Sequence, residues 1–178
     1  MTPATGPHRL GPDDTDLHLL TTVEGPMAKM GHELVLRIGR WEATVTVGDT
    51  PEATTLVFTA DLTSLRVSGN RDRTKDVPAK DRTDIVGHAA KALQTQKYGQ
   101  VNFRSTSAEG TWDAIILHGQ LALHGQTQPQ DFRVVAGDGA YELTGQITQT
   151  RYGIKPFAIM MGALKVGDVV EVQATAHF

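Results

Sequence analysis

Residues 115–123 read Ile-Ile-Leu-His-Gly-Gln-Leu-Ala-Leu, and this stretch decides how the rest of the chain is interpreted. Apolar residues or glycine occupy every second position from Ile115 to Leu123, and no charged residue shares their face. Because successive side chains of a β-strand point to opposite sides of a sheet, a period of two predicts a strand with one buried face. The stretch therefore indicates a β-sheet that covers an apolar interior.

The same alternation recurs along most of the chain. It predicts further strands in residues 17–23, 34–38, 41–47, 56–62, 132–134, 141–147 and 170–178. The alternation changes phase at Gly39, which is typical of a β-bulge. Bulges bend strands, and a sheet that closes on itself needs bent strands.

One segment has a helical period instead. Its apolar residues recur at the spacing of a helix face: Ile85, Val86, Ala89, Ala90 and Leu93. Asp81 or Thr83 can cap its start. We therefore predict an all-β protein with one helix, folded as an eight-stranded antiparallel barrel. Eight strands of about ten residues, with turns, a helix and a leader, account for the length of the chain.

Composition narrows the range of functions. The chain has 17 Lys and Arg residues, 20 Asp and Glu residues and no cysteine. Nucleic-acid binding is not expected, since it normally requires a basic surface. We see neither a secretory signal nor an apolar run long enough to cross a bilayer, so a cytoplasmic location without stable membrane insertion is expected. Residues 1–14 are predicted to be a flexible leader, and residues 15–178 a single domain.

Catalytic motifs are incomplete. His32 and Glu33 begin a zinc-protease motif, but Leu36 stands at the second histidine position and the segment alternates like a strand. His118 and His124 lie on one face of a predicted strand, roughly 20 Å apart, so they cannot share an ion and are expected to face solvent. We predict no catalytic residue, cofactor or metal, although a metal site built from distant histidines remains an alternative.

Four segments, in this order, resemble the YceI-like proteins, a lipocalin-like group whose members bind polyisoprenoids or similar long-chain lipids. They are Leu56 to Leu65, the helix at Ile85 to Leu93 followed by Tyr98 to Ser105, Gly119 to Pro129, and Tyr152 to Phe157 with Gly162 to Val172. The third segment, Gly-Gln-Leu-Ala-Leu-His-Gly-Gln-Thr-Gln-Pro, is the most specific. The chain departs from the family pattern at Gly99 and Arg151, and it lacks the export signal of many relatives.

The resemblance implies an eight-stranded barrel with an apolar tunnel, no catalytic residues and often a homodimer. We expect a non-enzymatic carrier, reservoir or sensor of a polyisoprenoid, quinone or fatty amide. Alternation predicts the tunnel lining to be Leu36, Phe58, Leu62, Phe103, Leu117, Leu121, Tyr152 and Phe157. His32, Arg71 and Arg73 are candidate groups at the mouth, unless His32 is an ordinary turn residue and the arginines belong to a solvated loop. Two further hypotheses are an enzyme that uses the same cavity and a filled barrel that serves as an interaction module.

Overall fold

The structure, a computed structural model, describes residues 2–178. These residues form fourteen β-strands, one α-helix and five short 3-10 helices. The strands are β1 (Gly6–Leu10), β2 (Thr15–Leu20), β3 (Val23–Glu24), β4 (Leu34–Ile38), β5 (Trp41–Val47), β6 (Thr55–Asp61), β7 (Leu65–Asn70), β8 (Gln100–Thr111), β9 (Ala114–Leu123), β10 (Gln126–Gly137), β11 (Ala140–Thr148), β12 (Ala158–Ile159), β13 (Leu164–Val166) and β14 (Val169–Ala176). The α-helix, α1, spans Ala79–Leu93, and the 3-10 helices span Ala28–Met30, Pro51–Ala53, Leu62–Ser64, Gln149–Tyr152 and Met160–Gly162.

Eleven strands form one antiparallel sheet in the order β1, β5, β6, β8, β9, β10, β11, β14, β2, β4, β7. Strands β4 and β5 stand near opposite ends of this order, yet only residues 39–40 separate them along the chain. The sheet therefore curls until its two ends meet at this connection. Strands β12, β13 and β3 form a second, small sheet.

The predicted count of eight strands is wrong for the main sheet, which has eleven. Three stretches that would be continuous in an eight-stranded barrel are interrupted, at residues 11–14, 39–40 and 62–64. Arg40 lies in the break at residues 39–40, and Asp61 directly precedes the break at residues 62–64. The two side chains form an ion pair, with Arg40 Nη2 2.8 Å from Asp61 Oδ2. The Asp61 side chain also accepts a hydrogen bond from the backbone N–H of Thr63. Asp61 thereby caps the start of the 3-10 helix at Leu62–Ser64. These polar contacts lie beside the breaks between β4 and β5 and between β6 and β7.

Part of the predicted flexible leader is ordered in the sheet. Gly6–Leu10 forms β1 and pairs with β5, from Gly6 opposite Val47 to Leu10 opposite Ala43. The prediction is wrong for these five residues. The free backbone groups of β5 offer hydrogen bonds to any extended segment, so a sequence with few apolar residues can still add a strand.

Helix α1 packs against β7, the last strand of the sheet order. It begins at Ala79, directly after Pro78, so the predicted caps Asp81 and Thr83 lie inside it. Arg82 donates hydrogen bonds to the carbonyl of Val67 at 3.1 Å and to that of Ser68 at 3.3 Å. Because an edge strand leaves backbone groups unpaired, Arg82 both satisfies β7 and fixes the helix against it.

Candidate ligand-binding cavity

The curled sheet surrounds a cavity of about 460 Å³. Its lining combines inward side chains of the main sheet with one face of α1 and with residues of the small sheet. Nearly all of the lining side chains are apolar. Pockets that hold small molecules are commonly about 300–1,000 Å³ in volume and mainly apolar, so this cavity has the size and character of a ligand site.

The stretch that opened the sequence analysis forms β9 and supplies Ile115, Leu117, Leu121 and Leu123 to the cavity wall. Gly119 occupies the centre of this row. A Cβ atom there would lie 2.5 Å from Phe103 Cζ, so the missing side chain leaves room for the Phe103 ring. The inward face predicted from alternation is thus apolar, with a gap that an aromatic ring fills.

Eight of the eleven predicted ligand residues line the cavity: His32, Leu36, Phe58, Leu62, Phe103, Leu117, Leu121 and Phe157. The structure brings them together from four strands, β4, β6, β8 and β9, and from the segments at residues 32, 62 and 157. Whether they bind a ligand remains a prediction.

Tyr152 does not line the cavity. It ends a 3-10 helix, is only 1% exposed, and its carbonyl oxygen lies 3.0 Å from Nδ1 of His124. The alternation of strands does not extend into such a turn, so it could not place this ring. His124, which we expected to face solvent, is instead half-buried, and its ring lies 4.7 Å from that of Tyr98.

Arg71 and Arg73 also lie outside the cavity lining. The Arg71 guanidinium is 3.7 Å from the Glu171 carboxylate, and Arg73 is exposed. Asp72 accepts hydrogen bonds from Thr74, which lower the pKa of its carboxyl. This charge-dense loop is therefore bonded within itself and to the outside of the sheet, as mixed-charge segments commonly are.

Several lining residues were missed from the sequence. Helix α1 contributes Ile85, His88, Ala89, Ala92 and Leu93, and other elements contribute Trp41, Trp112, Phe132, Tyr141 and Phe178. The helical spacing in residues 85–93 indicated a buried face, but it did not tell whether that face packs on a core or borders a cavity. Phe132, Tyr141 and Phe178 fell on predicted inward faces, so the alternation could have placed them in the lining.

Exposed lining residues show where the cavity reaches the surface. Met30 and His88 line the cavity and are also exposed. The His88 ring stacks on that of Phe157, with centroids 4.4 Å apart. His32 Nε2 lies 3.5 Å from Asp81 Oδ2, which links the segment after β3 to α1. We define these five residues as the rim of the opening, and the role of His32 as a mouth group remains a prediction.

The described residues form neither a metal site nor a membrane-spanning helix. Within residues 2–178, no three histidine, aspartate or glutamate side chains gather in a way that could hold a metal ion. No helix in the same range is long and apolar enough to span a bilayer.

Fold and cavity together define the class: a mainly β protein whose curled antiparallel sheet, with one helix against it, surrounds an apolar interior. The YceI-like domain model matches residues 14–178 of the chain. The chain belongs to the YceI-like family, and the resemblance seen in the sequence is confirmed.

Solved structures show the same fold at low sequence identity. BcnA of Burkholderia cenocepacia is 14% identical, with 90% of this chain and 94% of that chain covered and a TM-score of 0.65. The Campylobacter jejuni YCEI protein is 14% identical, with 80% and 85% covered and a TM-score of 0.54. No match was found among curated proteins.

Proposed function

We propose that this protein binds a long-chain apolar ligand, such as a polyisoprenoid, quinone or fatty amide, inside the curled sheet. It would act as a carrier, reservoir or sensor and would not catalyse a reaction. The observation that carries this proposal is the apolar cavity of about 460 Å³ with an opening at the rim. Membership of the YceI-like family supports the proposal, because the members that the sequence resembles bind such lipids.

The apolar lining is sufficient to hold such a ligand. Removing one methylene group from water gains about 0.8 kcal/mol, so ten buried methylenes gain roughly 8 kcal/mol before the costs of binding. A gain of that size is comparable to the cost of association, so each further buried methylene adds directly to the net affinity. Tight binding therefore needs few polar contacts, which agrees with a lining that has few polar groups.

The two other hypotheses have less support. A filled barrel would have no interior space, whereas this sheet encloses a cavity. An enzyme would need a reactive group with a partner that activates it. His88 stacks on Phe157, and although His32 lies 3.5 Å from Asp81, the described cavity lining has neither a serine nor a cysteine that it could activate.

Blocking the cavity tests the proposal. Val45 lines the cavity and is half-buried, whereas its neighbour Thr46 is exposed on the opposite face of β5. Val45→Trp fills interior space, and Thr46→Trp adds the same ring outside. Binding is followed by the fluorescence of N-phenyl-1-naphthylamine and its displacement by farnesol, decylubiquinone or oleamide.

We expect the unaltered protein and Thr46→Trp to bind the probe alike and Val45→Trp to lose most of the binding. Circular dichroism shows whether each variant is folded. Equal binding by folded Val45→Trp, or no uptake by the unaltered protein, would contradict the proposal. A cytoplasmic location and a homodimer remain predictions.

A further inference from the structure

Large apolar side chains are exposed to solvent beside the opening of the cavity. Met161 is fully exposed, Met30 is 65% exposed, Met160 is 55% exposed and Ile159 is 40% exposed. We call these four residues the methionine surface. Exposed clusters of large apolar side chains are unusual on a protein surface and commonly mark the place where a protein or a membrane is bound. The methionine surface therefore calls for a partner.

Backbone hydrogen bonds join the two parts of this surface. The N–H of Met30 donates to the carbonyl of Met27 at 2.9 Å, and the N–H of Met27 donates to the carbonyl of Ala163 at 2.9 Å. The N–H of Ala163 in turn donates to the carbonyl of Met160 at 3.1 Å. Because these bonds form an unbroken series, Met30 and Met160 belong to one continuous surface although they are distant in the sequence.

The methionine surface adjoins the opening of the cavity. Met30 belongs to the rim as well, and Phe157 of the rim lies two residues before Ile159. The N–H of Val166, a residue of the cavity lining, donates to the carbonyl of Phe157 at 2.9 Å. A molecule that enters or leaves the cavity at the rim therefore passes next to these exposed side chains.

The backbone at the end of this surface is left-handed. The φ angles are 53° at Met160 and 58° at Met161, in a region that is unfavourable for residues with a side chain. Glycine adopts this conformation without that cost. Since the Met161 side chain is fully exposed, it buries no apolar area within the chain that could offset the cost. Folding alone does not account for a methionine here, which points to a contact outside the chain.

The segments that carry the methionine surface are basic. Residues 25–32 and 154–167 contain three lysines and no aspartate or glutamate. Lys29 and Lys155 are exposed, and neither has a carboxylate within ion-pair distance among residues 2–178. The third lysine, Lys165, stands opposite Glu24 across β13 and β3, so that pair offsets its own charge. Two unpaired positive charges therefore accompany the exposed apolar side chains.

This combination fits a lipid bilayer better than a protein. Stable protein interfaces commonly involve about 20–30 residues on each side, many more than this surface offers. A bilayer accepts protruding apolar side chains without a matching pocket, and the unbranched side chain of methionine adapts easily to its surroundings. Lysines near the surface of an anionic bilayer are attracted to its negative potential.

We propose that the protein docks reversibly on the surface of an anionic phospholipid bilayer through the methionine surface, with the opening of the cavity towards the membrane. The inference rests on the proposed function, because a long-chain lipid that the cavity takes up resides in bilayers. Docking in this orientation lets such a ligand pass between the bilayer and the cavity without crossing water.

Cosedimentation of the full chain with vesicles tests the docking. One set of vesicles is made of equal parts phosphatidylcholine and phosphatidylglycerol, and the other of phosphatidylcholine alone. The unaltered protein is expected to bind the anionic vesicles at least several-fold more tightly, and added sodium chloride should weaken that binding because salt screens the charges.

Polar substitutions separate the apolar contribution from the charges. Met161→Gln and Ile159→Gln are each expected to weaken binding to the anionic vesicles by about fivefold or more, because a glutamine gains little by leaving water. Lys29→Gln and Lys155→Gln are each expected to weaken the same binding by about fivefold and to leave binding to neutral vesicles unchanged.

The outer wall of the sheet offers matched controls. Ile116 is 38% exposed, close to the 40% of Ile159, and it is paired in register with the exposed Arg133 across β9 and β10. Ile116→Gln and Arg133→Gln therefore remove the same kinds of group from another part of the surface. Neither change is expected to affect vesicle binding.

Uptake of N-phenyl-1-naphthylamine in vesicle-free solution distinguishes docking from ligand binding. Met161 and Lys155 do not line the cavity, so Met161→Gln and Lys155→Gln should take up the probe like the unaltered protein. If the unaltered protein takes up the probe but does not bind anionic vesicles, or if folded Met161→Gln binds them at the unaltered level, the docking is overturned and the proposed function stands. If the unaltered protein takes up no probe, the proposed function itself fails.

Light scattering examines a second copy of the chain as the alternative occupant. The unaltered protein and Met161→Gln are expected to have the same molar mass in solution. A dimer of the unaltered protein that Met161→Gln dissociates would assign the methionine surface to contact between copies and would overturn the docking.

Discussion

The rings of Phe103 and Phe132 meet edge to face inside the curled sheet, with centroids 5.0 Å apart and planes at 87°. Each ring covers a glycine of the neighbouring strand. A Cβ atom on Gly119 would lie 2.5 Å from Phe103 Cζ, and one on Gly145 would lie 2.4 Å from Phe132 Cδ1. The shape of the cavity wall therefore depends on two positions that have no side chain.

Gly119→Ala is expected to push the Phe103 ring towards the cavity. The new Cβ would also lie 2.5 Å from the Arg104 carbonyl, so the backbone must shift as well. Overpacking of this kind costs about 1–3 kcal/mol, which urea unfolding can measure, and probe binding should weaken too. At Gly137 a Cβ meets no atom within 4 Å. Gly137→Ala is the control, and equal effects of the two substitutions would contradict the expectation.

Asp61 is expected to make the free energy of unfolding depend on pH in acidic solution. Hydrogen bonds from Thr63 and then from Arg40 lower the pKa of its carboxyl to about 2. Since this pKa is below the ordinary value of 3.8, the contribution is present above that value and is lost as the pH falls towards about 2. The difference in unfolding free energy between the unaltered protein and Asp61→Asn should therefore shrink in that range. Thr63→Val should raise the pKa of Asp61, and an unchanged pKa would contradict this account.

His118 is expected to make the free energy of unfolding decrease as the pH rises, which is opposite to the effect of Asp61. Asp131 Oδ1 lies 2.7 Å from its Nδ1 and Glu109 Oε1 lies 3.2 Å from its Nε2, and these carboxylates raise the pKa of the imidazole. A raised pKa gives stability that is fully present below the ordinary value of 6.5 and is lost as the pH rises through the folded value. NMR titration should place the pKa above 6.5 and show a decrease in Asp131→Asn. A value that does not move in that variant would disprove the assigned cause.

Gly87 offers a stabilising change. It lies inside α1, is exposed, and a Cβ there would meet no atom within 4 Å. Gly87→Ala is expected to raise the unfolding free energy by about 1 kcal/mol, because alanine favours a helix over glycine. Gly125→Ala is the contrasting change, since φ there is +72° and the Cβ would lie 2.8 Å from the Tyr98 ring. A loss of stability in Gly87→Ala would show that the helix packs differently.

Alternation in the sequence predicted the cavity wall well where strands are regular. Leu117 and Leu121 of β9 line the cavity as expected, because one face of the sheet is buried along the whole strand. Family membership was equally readable, since motifs in residues 56–172 occur in the expected order.

The sequence could not predict features that depend on long-range contacts. Arg40 and Asp61 pair beside two of the strand breaks, and no local pattern shows that these residues meet. The turn that holds Tyr152 directs its side chain into the core, where the period of a strand does not apply. A hollow interior is likewise invisible in a pattern that only separates buried from exposed faces.

Native mass spectrometry of freshly purified protein, followed by organic extraction, tests the central claim most directly. We predict a mass above that of the polypeptide that corresponds to one bound long-chain lipid, recoverable in the extract. A mass equal to that of the bare polypeptide, with no uptake of farnesol, decylubiquinone or oleamide afterwards, would contradict the claim that the cavity is a lipid site.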